Sequence, residues 1–220
     1  MIGDEVLRLH LNTTRGYVPP SFSIRLPAED IANMLYTCYM EIIDTRQREL
    51  IYDDYLEEQI YQIADILAKP SHKFAIIFHG TYGNGKTTMM MALRKMINYL
   101  FSTCNHGIGH IKRFNQQIPI IMSKDVVKEV IEQGYTYQHY DMMMIDDLGS
   151  EPAEKMHYGT IYTPIVDLLE SRYAMMKYTV ISTNLSLKQL RPIYGDRVAD
   201  RLNEIAHTVQ FLGPSYREIP

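Results

Sequence analysis

The chain has 220 residues, a formal net charge of −4, 46% hydrophobic and 22% charged residues, and two cysteines, Cys38 and Cys104. This size suits one globular domain, and the charge excludes coating of nucleic acid by bulk attraction, which needs clustered Lys and Arg; a local basic groove, or basic patches pooled in a ring of subunits, stays open. No apolar run reaches the roughly eighteen residues of a membrane helix, Met1-Ile2-Gly3-Asp4-Glu5 lacks the pattern of a secretory signal, and two cysteines make no disulfide framework, so the expected location is cytoplasmic with no membrane partner.

Residues 1–26 carry Pro19-Pro20 with no clear period and read as an irregular arm. Ile31, Leu35, Cys38 and Ile42 recur at helical spacing and predict a helix over about 28–47. Leu56, Ile60, Ile63 and Leu67 predict a second over 53–69, which Pro70 stops. From there strands and helices alternate. Phe74 to Phe78 reads as a buried strand, and Thr87 to Phe101 as a helix with Met90, Leu93, Ile97 and Leu100 on one face. Ile118 to Met122 is a second strand, followed by a helix over about 123–133, and Met142 to Ile145 is a third strand. Pro164 to Met176 is a helix for which Thr163 is the expected N-cap. Tyr178 to Ser182 is a fourth strand, Leu187 to Leu190 and Asp196 to Ile205 are short helices, and Thr208 to Leu212 is a fifth strand. This alternation predicts an α/β fold with a parallel sheet covered on both faces.

Gly80-Thr81-Tyr82-Gly83-Asn84-Gly85-Lys86-Thr87 matches the phosphate-loop pattern G-x-x-x-x-G-K-[ST] in full. It follows an apolar strand and precedes an amphipathic helix, which the chemistry requires. Glycines let consecutive backbone N–H groups turn toward phosphate oxygens, and the helix beginning near Lys86 adds its positive end. The expected ligand is ATP with Mg2+: Gly80 to Thr87, with Thr88 beside them, cradle the phosphates. Lys86 reaches the β- and γ-phosphates, and the Thr87 hydroxyl ligates the metal.

Met142-Met143-Met144-Ile145-Asp146-Asp147 is an apolar strand closing on two acids, placed at the carboxyl edge of the sheet where ligands of open α/β folds sit. Asp146 is then the Mg2+-side residue, and Asp147 orients the attacking water or accepts its proton. The same Asp-Asp-Leu-Gly stretch also reads as a turn. After Val180-Ile181-Ser182-Thr183, Asn184 is either a γ-phosphate or water contact or a turn residue. Arg197 and Arg201 lie four residues apart on one helix face. They read either as a solvated face of Asp–Arg pairs or as arginines offered to a neighbouring subunit's γ-phosphate.

The ordered set GTYGNGKT, MMMIDDLG, VISTNLS and GDRVADRLNE, with Tyr158-Gly159, Leu168-Leu169-Glu170-Ser171-Arg172-Tyr173 and Gly213-Pro214-Ser215-Tyr216-Arg217, resembles the AAA+ ATPases of the DnaC type. These include helicase loaders and the IstB transposition helper. The resemblance spans about residues 53–217 and implies a three-layer P-loop fold with a five-stranded parallel sheet in the order 5-1-4-3-2. It also implies that Lys86 and Thr87 belong to Walker A, Asp146 and Asp147 to Walker B and Asn184 to sensor 1, with Arg201 at the arginine-finger position and Arg197 as second candidate. Residues 1–52 are expected to form an N-terminal arm and helix and 53–220 the ATPase core; the eight residues after the fifth strand leave no room for a C-terminal lid domain.

Two function classes follow. One is an ATP-hydrolysing protein acting in DNA replication as a helicase loader, or as a transposition helper, with a replicative helicase or transposase and single-stranded DNA as partners and a homo-oligomer when ATP or DNA is bound. The other is a nucleotide-dependent adaptor with negligible turnover. A P-loop kinase fits less well, since no arginine-rich lid segment is evident. Cys104, His106 and His110 supply three zinc candidates where a structural site wants four. His110 to Phe114 reads either as a single-stranded DNA contact or as a solvated loop. The 14 methionines read as adaptable core filler.

Overall fold

Five short, mostly buried strands lie side by side, all parallel, and the helices between them cover both faces. The structure, a computed structural model, describes residues 22–103, 117–126, 128, 140–151, 155–157 and 160–217. Residues 1–21 of the arm, Cys104, His106, the His110 to Phe114 segment, most of the 123–133 helix and Tyr158-Gly159 lie outside the described residues. Two helices come first, α1 (Ala28–Thr45) and α2 (Asp54–Ala68). They are followed by β1 (Ala75–Gly80), α3 (Lys86–Thr103), β2 (Ile120–Met122), β3 (Met142–Leu148) and a small hairpin of β4 (Lys155–His157) and β5 (Thr160–Tyr162). The chain continues through α4 (Pro164–Ala174), β6 (Tyr178–Thr183), α5 (Leu187–Tyr194), α6 (Asp196–Ile205) and β7 (Ala206–Phe211).

The sheet runs β7-β1-β6-β3-β2. With these five strands numbered in chain order, that is 5-1-4-3-2, as the resemblance implies. Strands β1, β3 and β6 are buried along nearly their whole length, whereas the edge strand β7 alternates. Central parallel strands covered on both faces carry continuous apolar runs, and an edge strand does not. Helix α3 packs against β1 and β6 and under α1, α2 packs on α1 and β7, and α6 packs on both α4 and α5. Residues from α1 (Ile31, Ala32, Leu35, Tyr39) belong to the same hydrophobic core as the sheet and α3. Phe22 meets Tyr178 edge-on and Phe101 at a tilt, and Ile24 N–H bonds the Leu67 carbonyl at 2.7 Å.

The predicted faces of α2 and α3 are buried as read; α3 buries Met89, Ala92 and Met96 besides, because it is held between the sheet and α1. On α1 the buried face turns toward Tyr39, leaving Cys38 and Ile42 half-buried. Asp53 caps α2 by accepting from Leu56 N–H at 2.8 Å. Thr163 occupies the N-cap position of α4, but its side chain makes no cap bond; its hydroxyl lies 3.5 Å from Asp167 Oδ1. Helix α5 runs past the predicted Leu190 through Pro192 to Tyr194. The carbonyl that Pro192 leaves unpaired belongs to exposed Lys188, where water can serve it. The hairpin was not foreseen: three-residue strands are too short for alternation to register.

Candidate functional site

The carboxyl edges of β1, β3 and β6 converge on one open cleft of about 1160 Å³, large enough for a nucleoside triphosphate. The loop after β1 curls at the start of α3. Gly85 has φ 88°, a conformation that strains residues with a Cβ, and a Cβ there would meet the Tyr39 hydroxyl at 3.0 Å. Gly80 closes β1 against β7, where a Cβ would lie 2.2 Å from the Phe211 carbonyl. Buried Asn84 reaches the same carbonyl through Nδ2 and lies 3.4 Å from the Thr81 hydroxyl, tying the loop to β7. Tyr82, 71% exposed, stands at the loop tip, and Tyr216 N–H bonds the Gly83 carbonyl at 3.1 Å.

Lys86 is 7% exposed and donates to the carbonyls of Gly80 (2.8 Å) and Thr81 and to Asn84 Oδ1 (3.1 Å). Burial pushes its ammonium down from 10.5 to about 8; Asp147 and Asp146 pull it back up, and Arg217 adds to the depression. Next in the chain, the Thr87 hydroxyl faces the other way and sits 2.9 and 3.1 Å from the two Asp146 oxygens. A hydroxyl and a carboxylate paired at the mouth of a phosphate loop are the oxygen donors that Mg2+ prefers. The residues present therefore fit Mg-ATP, and Thr87 and Asp146 would hold its metal.

In a regular strand Asp146 and Asp147 would point to opposite faces. Here the β3–β6 register shifts between Ile145 and Leu148, and Asp147 adopts φ 59°. This bulge re-aims the second acid so that both carboxylates line the cleft. The kink is held on every side. Asp147 N–H donates to Ser182 Oγ at 2.8 Å, and its carbonyl accepts from Ser123 Oγ at 2.7 Å and Ser150 N–H at 3.1 Å. Ser182, 1% exposed, donates in turn to Asp146 Oδ1. Thus one serine on β6 fixes both acids of β3.

Asn184, just past β6, donates through Nδ2 to Asp147 Oδ1 at 2.8 Å. Because the carboxylate can only accept, this bond sets the amide orientation. Its Oδ1 is buried without a hydrogen-bond partner among the described residues. A buried acceptor beside a carboxylate is placed to receive a proton of a bound water. Asp147 and Asn184 are thus brought together at the cleft.

Arg197 and Arg201 do share a face of α6, and both meet Glu170 of α4, at 3.2 and 3.5 Å. The Arg201 guanidinium also lies over the Tyr173 ring, 4.4 Å from its centre. Neither lines the cleft of its own chain. The nearby acids Asp196 and Asp200 are held instead by Arg191.

Several residues at the site were not singled out by sequence reasoning. Ser182 and Ser123 carry no motif signal of their own, and Arg46, Arg48 and Tyr39 come from the segment before α2. Arg217 lines the cleft from the segment after β7, and Tyr216 beside it donates to Asp53 at 3.0 and 3.1 Å. Among the described residues no cluster of three or more His, Cys, Asp or Glu side chains could hold a metal by itself, and no helix is long and apolar enough to cross a membrane.

No family model matches the sequence, and no curated protein matches it. Solved structures do match the fold. One is the DnaC helicase loader, 18% identical with a TM-score of 0.54 over 78% of this chain and 97% of that one. Another is DnaI, 18% identical with a TM-score of 0.53 over 88% and 95%. At such identity the likeness is one of fold. The five-stranded parallel sheet in the order 5-1-4-3-2, with its phosphate loop opening α3, gives this chain the P-loop AAA+ fold of the DnaC type.

Proposed function

We propose that this chain binds ATP with Mg2+ in the β1–β3–β6 cleft, hydrolyses it, and acts in DNA replication as a loader of a replicative helicase. The observation that carries the reading is the linked set Thr87–Asp146–Ser182 and Asp147–Asn184 facing the phosphate loop. Bound Mg2+ would neutralise charge on the β- and γ-phosphates. Lys86 leaves its loop carbonyls to contact the same oxygens. Asp147 and the free acceptor of Asn184 hold the attacking water in line, and the Asp147 carboxylate accepts its proton as the γ-phosphoryl transfers. The loop residues Gly80 to Thr88 supply backbone donors.

Arg201, with Arg197 beside it, serves a neighbouring copy. Both arginines stand apart from their own cleft, so any contribution of theirs to γ-phosphate chemistry has to be made across an interface. Assembly is then a homo-oligomer formed with ATP or single-stranded DNA. A replicative helicase is the partner of this reading, in keeping with the likeness of fold to the DnaC helicase loader, and a transposase is the alternative.

Single-turnover hydrolysis of ATP, with and without single-stranded DNA, tests the reading. Phosphate release that disappears in Lys86→Ala is expected. ATP binding without release under either condition would leave the nucleotide-dependent adaptor. For the trans arginine, Arg201→Ala and Asp147→Asn subunits are mixed: activity should recover in the mixture, and no recovery would refute the interface role.

A further inference from the structure

We infer that Arg46, at the C-terminal end of α1, is a nucleotide-binding residue that contacts the α-phosphate of the same chain's ligand; the inference rests on the ATP reading of the cleft. Its guanidinium donates to Thr88 Oγ1 at 2.9 Å and to Met91 Sδ at 2.9 Å. Both are neutral acceptors, and the thioether is a weak one. None of the ion pairs among the described residues involves Arg46. Glu49, Asp146 and Asp147 line the same cleft, yet Arg46 pairs with none of them, which places it for an anion from outside the chain.

Direction along the loop says which phosphate. Consecutive residues at a helix start are rotated by about 100°. Thr87 turns its hydroxyl to Asp146, the metal side, and Thr88 turns its hydroxyl to Arg46 on α1. The segment that carries Arg46 also lines the cleft with Ile43, Leu50 and Ile51, apolar side chains suited to a base, alongside Arg48 and Glu49. A triphosphate with its γ end at Asp146 and its base on those apolar side chains passes its α-phosphate beside Arg46.

The local backbone agrees. Gln47 has φ 52°, uncommon for a residue with a Cβ, in the turn where Arg46 N–H bonds Ile42 and Ile43 and Arg48 N–H bonds Ile43. This left-handed step puts Arg46 and Arg48 on the cleft and Gln47 off it. It is the left-handed step with which helices commonly end, and the end of α4 repeats it at Met176, with φ 51°.

The test is titration of the full nucleotide-free chain with ADP and ATP in Mg2+ buffer, comparing Arg46→Met, which keeps the aliphatic stem, and Arg46→Lys. Loss of a charge-assisted contact to the α-phosphate weakens ADP and ATP equally, about 10–100-fold in Arg46→Met and less in Arg46→Lys. Affinity for ADP within twofold of wild type in Arg46→Met would overturn the inference, as would a loss confined to ATP, which would put the arginine at the γ-phosphate. If Arg46→Met does not fold, unchanged ADP affinity in Arg46→Lys with a lowered melting temperature overturns it and leaves only a tie between α1 and α3. Wild-type protein that binds neither nucleotide would instead sink the ATP reading beneath it.

Discussion

Ser182→Ala is the substitution that most directly examines how the two acids are held. The Ser182 hydroxyl is buried, donates to Asp146 Oδ1 and accepts Asp147 N–H at 2.8 Å. Its removal strands a backbone N–H inside the fold, at about 1–3 kcal/mol, and takes from a carboxylate a bond worth about 1.5–3 kcal/mol. Asp146 keeps the Thr87 hydroxyl, and Asp147 keeps Ser123 and Ser150 on its carbonyl, so neither acid is fully released. Because one hydroxyl serves both bonds, the two losses overlap, and about 3 kcal/mol is expected. In a chain of this size that is about 6–12 °C in Tm. Urea unfolding of the nucleotide-free protein reads the stability, and ATP titration in Mg2+ and in EDTA reads the site. The expected result is that stability falls by about that amount and that most of the Mg2+-dependent gain in ATP affinity disappears. A change under about 1 kcal/mol with unchanged Mg2+ dependence would refute the claim that Ser182 holds the bulge.

Other substitutions address other parts of the account. Asn184→Ala should keep ATP affinity within a few-fold while slowing single-turnover hydrolysis by about 100-fold, the scale of a positioned water contact; equal loss of binding and turnover would count against a water-positioning role. Lys86 attracts phosphate only when charged, so ATP affinity should fall as pH rises through about 8. The empty protein shows the opposite sign. A lysine depressed from 10.5 to about 8 disfavours folding below that range, so wild type should gain stability relative to Lys86→Met as pH rises from 8 toward 10.5. A pH-independent difference between the two proteins would contradict this. Arg172, 1% exposed, donates to Thr179 Oγ1, Tyr140 O and Tyr178 O; Arg172→Ala should cost about 3 kcal/mol or more in urea unfolding, with retained ATP affinity in the folded fraction.

Much of the sheet was legible because buried parallel strands advertise themselves as apolar runs, and β1, β3 and β6 did. The phosphate loop was legible because its spacing is itself the mechanism. The bulge was not. Met-Met-Met-Ile-Asp-Asp reads as a strand ending at Ile145, yet the strand continues to Leu148, and only a register shift with Asp147 at φ 59° brings both acids to one cleft. Nothing local in the sequence signals it, since the partners that hold it, Ser123 and Ser182, lie 24 and 35 residues away. Arg46 was hidden for a similar reason: its position depends on α1 packing across α3, a contact between segments 42 residues apart. The arginines of α6 were read as sharing a face, and they do, but their common partner Glu170 sits on another helix.

The central claim is that the cleft at the edge of β1, β3 and β6 is a Mg-ATP site built on Lys86 and Asp146. Calorimetric titration of ATP into the nucleotide-free chain, in Mg2+ and in EDTA, tests it with wild type, Lys86→Ala and Asp146→Asn. The account predicts binding by wild type that Mg2+ strengthens, loss of binding in Lys86→Ala, and binding in Asp146→Asn that no longer responds to Mg2+. Wild-type affinity retained in Lys86→Ala, or an undiminished Mg2+ response in Asp146→Asn, would contradict it.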